Sequence, residues 1–447
     1  MVKEGFANIQ LNSEKINREK PKNKEGFMIQ LSFLGAMQTV GASGILVDTG
    51  TEKILLDYGT KIREVPPQFP IPIQGKPDAI LLSHAHLDHS GGIGIFAANS
   101  QGCPIYSINV TKPLTELLLL DSLKISHEEG VSLPFKKRDV EQTMKNFVLI
   151  PYRKQFKLHS TKFEFFDAGH IPGSAMILLS FGNKNLLYTG DLKTTDTRLL
   201  KKADLDLPKI DYLITESTYS DREHANRKEQ EKELVKIIDE TLAVDGHCLI
   251  AGFAVGRLQE ILLILDKHGI DYPVYLDGMA KKATTIINQH KSLLKEPESL
   301  DKALKRVEYV GSERSRKRAL KRPSVILTTS GMLTGGPVIW YLKKLYADRR
   351  SSLVLTGWQL EDTPGKILLE TGRLITKDLD LEVKMFVKRL DFSAHAGRSE
   401  LFEFIEKLNP EKVFCVHGDH TEEFASELRE KGFDAVAPLA NNRIFNL

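Results

Sequence analysis

From residue 28 onward the chain alternates short aliphatic and β-branched runs with turns. MIQLSFLG, GILVDTG and KILLDYG follow one another, the last two separated by a Gly-Thr-Glu turn, a pattern that predicts a β-meander. The next run, AILLS, is apolar throughout, as expected of a strand covered on both faces, and it empties into His84-Ala-His-Leu-Asp-His89. Those histidines therefore belong to a loop at a strand's C-terminal end. Helical periodicity follows around Leu114 to Leu123, and strands return in FEFFDAG, MILLSF and NLLYTGD, each closing in a polar turn. After Thr218 the pattern changes. Glu229 to Ala243 sets Leu234, Ile237, Ile238 and Leu242 on one helical face; then come the strand CLIAGFA, a helix bearing Leu258, Ile261, Leu262 and Leu265, and the strand PVYLDG. Strand, helix and strand in that order predict a parallel βαβ unit. SVILTTSG and SLVLTGW continue it.

The predicted organisation is a polar extension over residues 1–26, a strand-rich core over 27–218, an inserted parallel α/β domain over 219–387, and a return to the core over 388–447. The extension is rich in Lys, Glu and Asn and lacks an apolar period. A length of 447 residues suits two domains or one core with a large insertion. Apolar residues make up 41% and charged residues 27%, which excludes a mainly disordered chain. A net charge of +3 is too small to indicate a polyanionic partner by itself. Cys103, Cys248 and Cys415 are widely spaced, which argues against a disulfide framework and a thiolate metal site and suits a reducing cytoplasm. No apolar run is long enough to span a membrane, and the N-terminus is polar where a signal peptide is apolar.

His84, His86, Asp88 and His89 form H-x-H-x-D-H, four potential ligands within six residues. In extended backbone a spacing of two points His84 and His86 the same way, while Asp88 and His89 turn toward a neighbouring position, so one loop can serve two metals. Imidazole and carboxylate without thiolate suit zinc, manganese or iron, and imidazole-rich sites most often hold zinc. Further ligands must come from other strand ends. His170 in DAGHIPGSA, Asp191 in YTGDLK and His417 in FCVHGD each follow an apolar or aromatic run beside glycine, which lets the backbone turn close to a metal. Asp191 is the natural bridging carboxylate. Two metals about 3.5–4 Å apart share a hydroxide of lowered pKa and clamp the oxygens of a phosphodiester, so hydrolysis needs no other nucleophile.

With these motifs in place, the chain from Met28 to Leu447 resembles the metallo-β-lactamase superfamily and, within it, the β-CASP nucleases. The resemblance rests on Asp57, His84 to His89, His170 and Asp191, then on Glu216 in ESTY, His395 in FSAHAG and His417 in VHGD. It implies an α/β fold: a metallo-β-lactamase αββα sandwich with an inserted β-CASP domain built on a parallel sheet. It implies two zinc ions, one on His84, His86 and His170, the other on Asp88, His89 and His417, with Asp191 between them. The catalytic set it implies is His395, Glu216 and Asp88, the last also a ligand. Glu216 would hydrogen-bond His395 so that the imidazole meets the scissile phosphate or protonates the leaving oxygen, chemistry suited to a carboxylate-paired histidine. Asp57 would orient a ligand histidine from behind.

Family features also mark the insertion, in FAVGRLQE around Arg257, LDGMA around Asp277 and SGMLTGGP from Ser330 and Gly331. The last is a glycine-rich turn after a strand, whose N–H groups and Ser330 hydroxyl suit a phosphate. Between Lys305 and Arg322 stand eight Lys or Arg against two Glu, which fits a backbone-tracking patch or a solvated helix face equally. GWQLEDTPGK departs from the family, with Trp358, Asp362 and Lys366 where Tyr, Gly and often Arg are expected. No KH-type domain is expected before the core, as in the short archaeal or bacterial members. FSAHAG resembles the endonuclease subunit of the cleavage and polyadenylation specificity factor more than RNase J proteins, which more often carry Ser-Gly-His there.

The implied function is zinc-dependent hydrolysis of RNA, as an endonuclease, a 5′-to-3′ exonuclease or both, in RNA processing or decay. The partner is RNA and not a membrane, with a homodimer or membership of an RNA-processing complex left open. Rival readings are a DNA nuclease of the same family, which generally lacks a histidine at position 417, and a silent scaffold subunit that has lost ligands. A lactonase- or glyoxalase-type hydrolase is the third, and has no use for ESTY, SAHAG and the insertion.

Overall fold

The computed structural model describes residues 29–61, 66–441 and 443–447, so the polar extension expected over residues 1–26 lies outside the described residues. The predicted meander forms. Gln30–Gly35, Gly44–Asp48 and Lys53–Leu56 pair antiparallel, and Ala79–Leu81, Ile105–Ser107 and Phe147–Leu149 add in parallel. Ile444–Asn446 closes the other edge against Gln30–Ser32, making seven strands. A second seven-stranded sheet runs Ala435–Val436, Lys412–Val416, Tyr212–Glu216, Lys184–Tyr188, Ala175–Phe181, Thr161–Asp167 and Phe156–Leu158.

The two sheets face each other. Leu31, Phe33, Val47, Ile54 and Leu56 of the first share one apolar cluster with Phe163, Phe165, Ile177, Leu179, Leu186 and Phe414 of the second. Alternate residues point outward and meet helices. Leu55, Ile80 and Ile105 pack with Leu119 and Val140, while Leu178, Leu187, Leu213 and Val413 pack with Leu401, Ile405, Phe424 and Leu428. This is the αββα sandwich the sequence predicts, set by the two-residue period of each strand.

The chain leaves the sandwich after Tyr212–Glu216 and later returns beside it, where Lys412–Val416 pairs in parallel with that strand. Between them lies a six-stranded, wholly parallel sheet in the order Val307–Tyr309, Val274–Leu276, Ser324–Thr328, His247–Ala251, Ser352–Leu355, Phe386–Arg389. Helices cover both faces: Arg227–Ala243 and Arg257–Lys267 on one, Pro337–Leu345 and Pro364–Thr371 on the other. Residue 387, where the sequence reading sets the return to the core, falls inside the last strand, because pairing with Ser352–Leu355 continues to Arg389. Across the junction, Glu260 of the insertion accepts the N–H groups of Arg198 and Leu199 at 2.9 and 2.7 Å and the Arg227 guanidinium at 2.8 Å. Arg198 in turn forks onto Glu231 at 3.0 and 2.7 Å. Among the described residues no helix is long and apolar enough to cross a membrane.

Candidate metal centre

The site is assembled from strand ends of both sandwich sheets. Ala79–Leu81 delivers His84 and His86, and a single helical turn, Leu87–Ser90, carries Asp88 and His89. Thr161–Asp167 leads to His170, Lys184–Tyr188 to Asp191, and Lys412–Val416 to His417. Two glycines act as the sequence suggests. Gly169 and Gly190 have φ of 70° and 51°, and a Cβ on Gly190 would lie 2.8 Å from Ser83 Cβ. His417 itself is left-handed, with φ of 53°, a costly conformation for a non-glycine residue that the surrounding structure must hold in place.

Ligand atoms of His84, His86, His170 and Asp191 lie within 4.8 Å of one another, as do those of His89, Asp191 and His417, and those of His84, Asp88 and His89. Asp191 thus joins the first two groups. Its Oδ2 is 3.4 Å from His84 Nε2 and 3.5 Å from His170 Nε2; its Oδ1 is 3.2 Å from His89 Nε2 and 3.5 Å from His417 Nδ1. Asp88 Oδ2 is 3.5 Å from His417 Nε2. The fit to a metal can be tested on the chain's own atoms. His84 Nε2, Asp191 Oδ1 and His417 Nε2 are buried yet make no hydrogen bond with the described protein groups. Buried polar atoms are normally paired, and three of them converging in one imidazole–carboxylate cluster suit a divalent cation.

Asp57, also in left-handed backbone, accepts His89 Nδ1–H at 2.7 Å, the Ser83 N–H and hydroxyl at 2.7 and 2.6 Å, and the Tyr188 hydroxyl at 2.8 Å. His170 Nδ1 donates to the Ala394 carbonyl at 2.9 Å, and His417 Nδ1 sits 3.2 Å from the Thr218 hydroxyl. Ser83, Tyr188, Thr218 and Ala394 are supporting residues that sequence reading misses. Tyr188 had a signal: a lone hydroxyl in an apolar strand needs a buried partner. Burial, reinforced by His84, holds His86 down to about 3, and burial likewise holds His170 well below its usual value, so both imidazoles are neutral, the form that ligates. Burial opposes ionisation of Asp191, but the surrounding histidines hold its carboxyl well below the usual range.

Glu216 and His395 come together as expected, with His395 Nδ1 2.9 and 3.0 Å from the two Glu216 oxygens and His395 Nε2 3.8 Å from Asp191 Oδ2. Glu216 is buried and also accepts the Leu192 N–H at 2.6 Å. Burial works against a charge on His395, but Glu216 and Asp191 outweigh it and raise the imidazole to about 9. His86, Asp88 and His395 are only partly covered, so the open side of the centre lies there.

The insertion presents its strand ends to this centre: a Cβ on Gly256 would lie 2.8 Å from Ile171, next to His170. Its polar groups are mostly engaged within it. Arg257 Nη1 donates to the Thr356 carbonyl at 2.6 Å, the Ser330 hydroxyl accepts the Thr334 N–H at 3.0 Å, and Gly331 is packed on Gly252 and Phe253. Asp277 is buried under Arg316 and the Tyr341 hydroxyl at 2.6 and 3.1 Å. The basic stretch is partly neutralised, with Arg306, Arg316, Lys317 and Arg318 paired to Asp271, Asp277, Glu313 and Glu308.

Comparison with known proteins joins this geometry to a family. Residues 258–368 match the family model described as "Beta-Casp domain", residues 380–438 the "Zn-dependent metallo-hydrolase RNA specificity domain", and residues 30–237 the "Anti-Pycsar protein Apyc1". The chain is 40% identical to "Probable RNase MJ4" of Methanocaldococcus jannaschii, over 93% of this chain and all of that protein. The chain belongs to the β-CASP ribonuclease family of the metallo-β-lactamase superfamily. A second member, "RNase aCSPSF2" of Saccharolobus solfataricus, is 35% identical over 91% of this chain and 83% of its own length. A crystal structure of a protein of unknown function from Enterococcus faecalis superposes with a TM-score of 0.60 at 16% identity, covering 94% of this chain and 100% of that one, and shows that the β-CASP chain shares its fold. A metal-dependent centre follows from the Zn-dependent family description together with the His/Asp cluster.

Proposed function

We propose that this chain is a zinc-dependent ribonuclease that hydrolyses RNA phosphodiesters at the centre built around Asp191. The observation that carries the reading is that two imidazole groups, each sharing Asp191, stand beside a carboxylate-paired His395 in a chain related to named RNases along most of its length. His84, His86 and His170 would hold one zinc, Asp88, His89 and His417 the other, with Asp191 between them. When bound, the ions supply Lewis acidity at the phosphate and lower the pKa of water.

The remaining steps fall to the chain. Asp57, fixed by Ser83 and Tyr188, sets the tautomer and angle of His89, and the Ala394 carbonyl does the same for His170. Glu216 accepts the His395 Nδ1–H and favours the protonated imidazole. His395 Nε2–H is then free to meet a non-bridging phosphate oxygen or to pass its proton to the departing ribose oxygen. The insertion approaches the centre at Gly256 and Ile171, and Arg257, Ser330 and Gly331 would shape the strand's path beside it. One assay tests the reading: purified, zinc-loaded protein is incubated with labelled RNA, a DNA hairpin and a lactone. Cleavage of RNA alone, abolished by chelation and restored by zinc, is expected with about two metals bound per chain. Hydrolysis of the lactone or DNA in preference to RNA, or full activity with one metal, would overturn it.

A further inference from the structure

Trp358 stands three residues beyond the end of the strand Ser352–Leu355 in the insertion, and its indole carries two guanidinium groups. Arg222 Cζ lies 3.9 Å from the ring centroid and Arg389 Cζ 4.9 Å. The three residues come from different places. Arg222 lies on the segment that leaves the sandwich after Glu216, and Arg389 ends the last strand of the parallel sheet, shortly before His395. A guanidinium stacked on an aromatic ring has its plane fixed, while its N–H edge stays available for phosphate oxygens. Arg222 is partly neutralised by Asp221, whose oxygens lie 2.8 and 2.9 Å from its Nε and which also stands 3.7 Å from His420. Arg389 is exposed and forms no ion pair with a carboxylate among the described residues.

The cluster is linked to the chemistry by short steps. The Tyr219 ring is 5.7 Å from the His395 ring, and Arg222 Cζ is 5.8 Å from the Tyr219 ring. The indole therefore stands only a few nucleotides of extended strand from the scissile position, on the same rim as His395. We propose that Trp358 holds Arg222 and Arg389 as a phosphate-binding platform that grips the RNA backbone a few nucleotides from the cleaved bond. This rests on the ribonuclease reading. Phosphate is the fitting ligand, and not a base, because the indole already stacks on guanidinium groups and, with the Nε–Nη2 edge of Arg222 held by Asp221, the exposed Arg389 adds a positive charge that no carboxylate meets among the described residues.

The experiment measures kcat, KM and their salt dependence on zinc-loaded protein with single-stranded RNAs of roughly four to sixteen nucleotides. For the wild type, KM is expected to fall once the strand is long enough to reach the platform. Arg389→Ala and Trp358→Ala should erase that fall, raising KM on the longest RNA about tenfold. The penalty should fall on KM and not kcat, and Arg389→Ala should reduce the salt slope by about one. Trp358→Tyr, which keeps an aromatic face, should restore most of the effect. Arg389→Ala is the decisive variant, since an exposed side chain is not needed for folding. A wild-type KM profile and salt slope in that variant, or an equal penalty at every length, would overturn the platform. No RNA cleavage by wild type at any length would instead overturn the ribonuclease reading itself.

Discussion

The strand ends of the sandwich and those of the insertion use their polar atoms differently. On the sandwich side, His84 Nε2, Asp191 Oδ1 and His417 Nε2 are buried and make no hydrogen bond among the described groups, while the other ring nitrogen of His89, and of His170, is fixed from behind by Asp57 and by a carbonyl. On the insertion side, Arg257 and Ser330 direct their hydrogen bonds to other groups of the insertion, and the Gln359 amide donates to the Gly331 carbonyl while its Oε1 is buried without a partner among the described groups. A buried polar atom left unsatisfied inside a protein costs free energy unless something else meets it, so the three orphans converging in the imidazole–carboxylate cluster suit a ligand, while Arg257 and Ser330 spend their bonds on the insertion itself. On the insertion side the exposed Arg389 is the notable charge.

The contrast can be broken most directly at its centre. Asp191→Ala should abolish RNA cleavage and reduce bound metal, since this carboxylate touches both imidazole groups; an active variant with full metal content, by assay and elemental analysis, would remove Asp191 from the shared position. Next in size is His395→Ala, expected to lower kcat by about 10²–10⁴ while metal content is unchanged. Loss of a metal equivalent there would make His395 a ligand. Asp57→Ala should weaken zinc affinity by about 10–100-fold in a chelator competition, and an unchanged affinity would show that Ser83 and Tyr188 suffice to hold His89. On the opposite rim, Arg257→Ala should leave zinc content intact and cut activity by a modest factor, with a lowered melting temperature because the Thr356 carbonyl loses its donor.

The smallest effect concerns pH. Burial, with Asp204 adding to it, raises the Asp167 carboxyl to about 7, although the Gly169 N–H opposes the shift. The folded state thus favours the protonated acid, so its contribution to stability is full below the unfolded value of about 4 and lost as pH rises through 7. Asp167→Asn keeps the acceptor for the Gly169 N–H, 2.8 Å away, and carries no charge. The variant should gain melting temperature over the wild type at pH 8 and lose that advantage toward pH 5; a difference independent of pH would show that Asp167 is not the titrating group.

Most of the sandwich was legible because each strand faces one core and the two-residue period survives in the sequence. That the H-x-H-x-D-H loop and the strand-end residues His170, Asp191 and His417 would gather was legible for a related reason: polar residues directly after apolar runs, beside glycine, have few other uses. The Glu216–His395 pair and the metal assignment came from family resemblance, since spacing alone says nothing about residues 179 positions apart. Hidden from the sequence were contacts that only the three-dimensional closure creates, such as Tyr188 on Asp57 or Arg389 on Trp358. The strand Phe386–Arg389 also blurred the domain boundary. It lies at a sheet edge with most of its residues exposed, so, like Val307–Tyr309 at the opposite edge, it lacks the apolar run that marks the inner parallel strands.

Glu216 is the last residue of its strand before the chain departs for the insertion, and His395 follows shortly after its return. The proton-bearing pair thus rides on the two chain crossings, whereas the proposed metal ligands belong to the sandwich alone. A rotation of the insertion would act on His395 and, through the Ala394 carbonyl that holds His170 Nδ1, on one side of the imidazole cluster as well. A pull on the insertion, from a long folded RNA or a docked protein, would therefore reach the proton-bearing pair and the neighbouring His170 along one short stretch of chain.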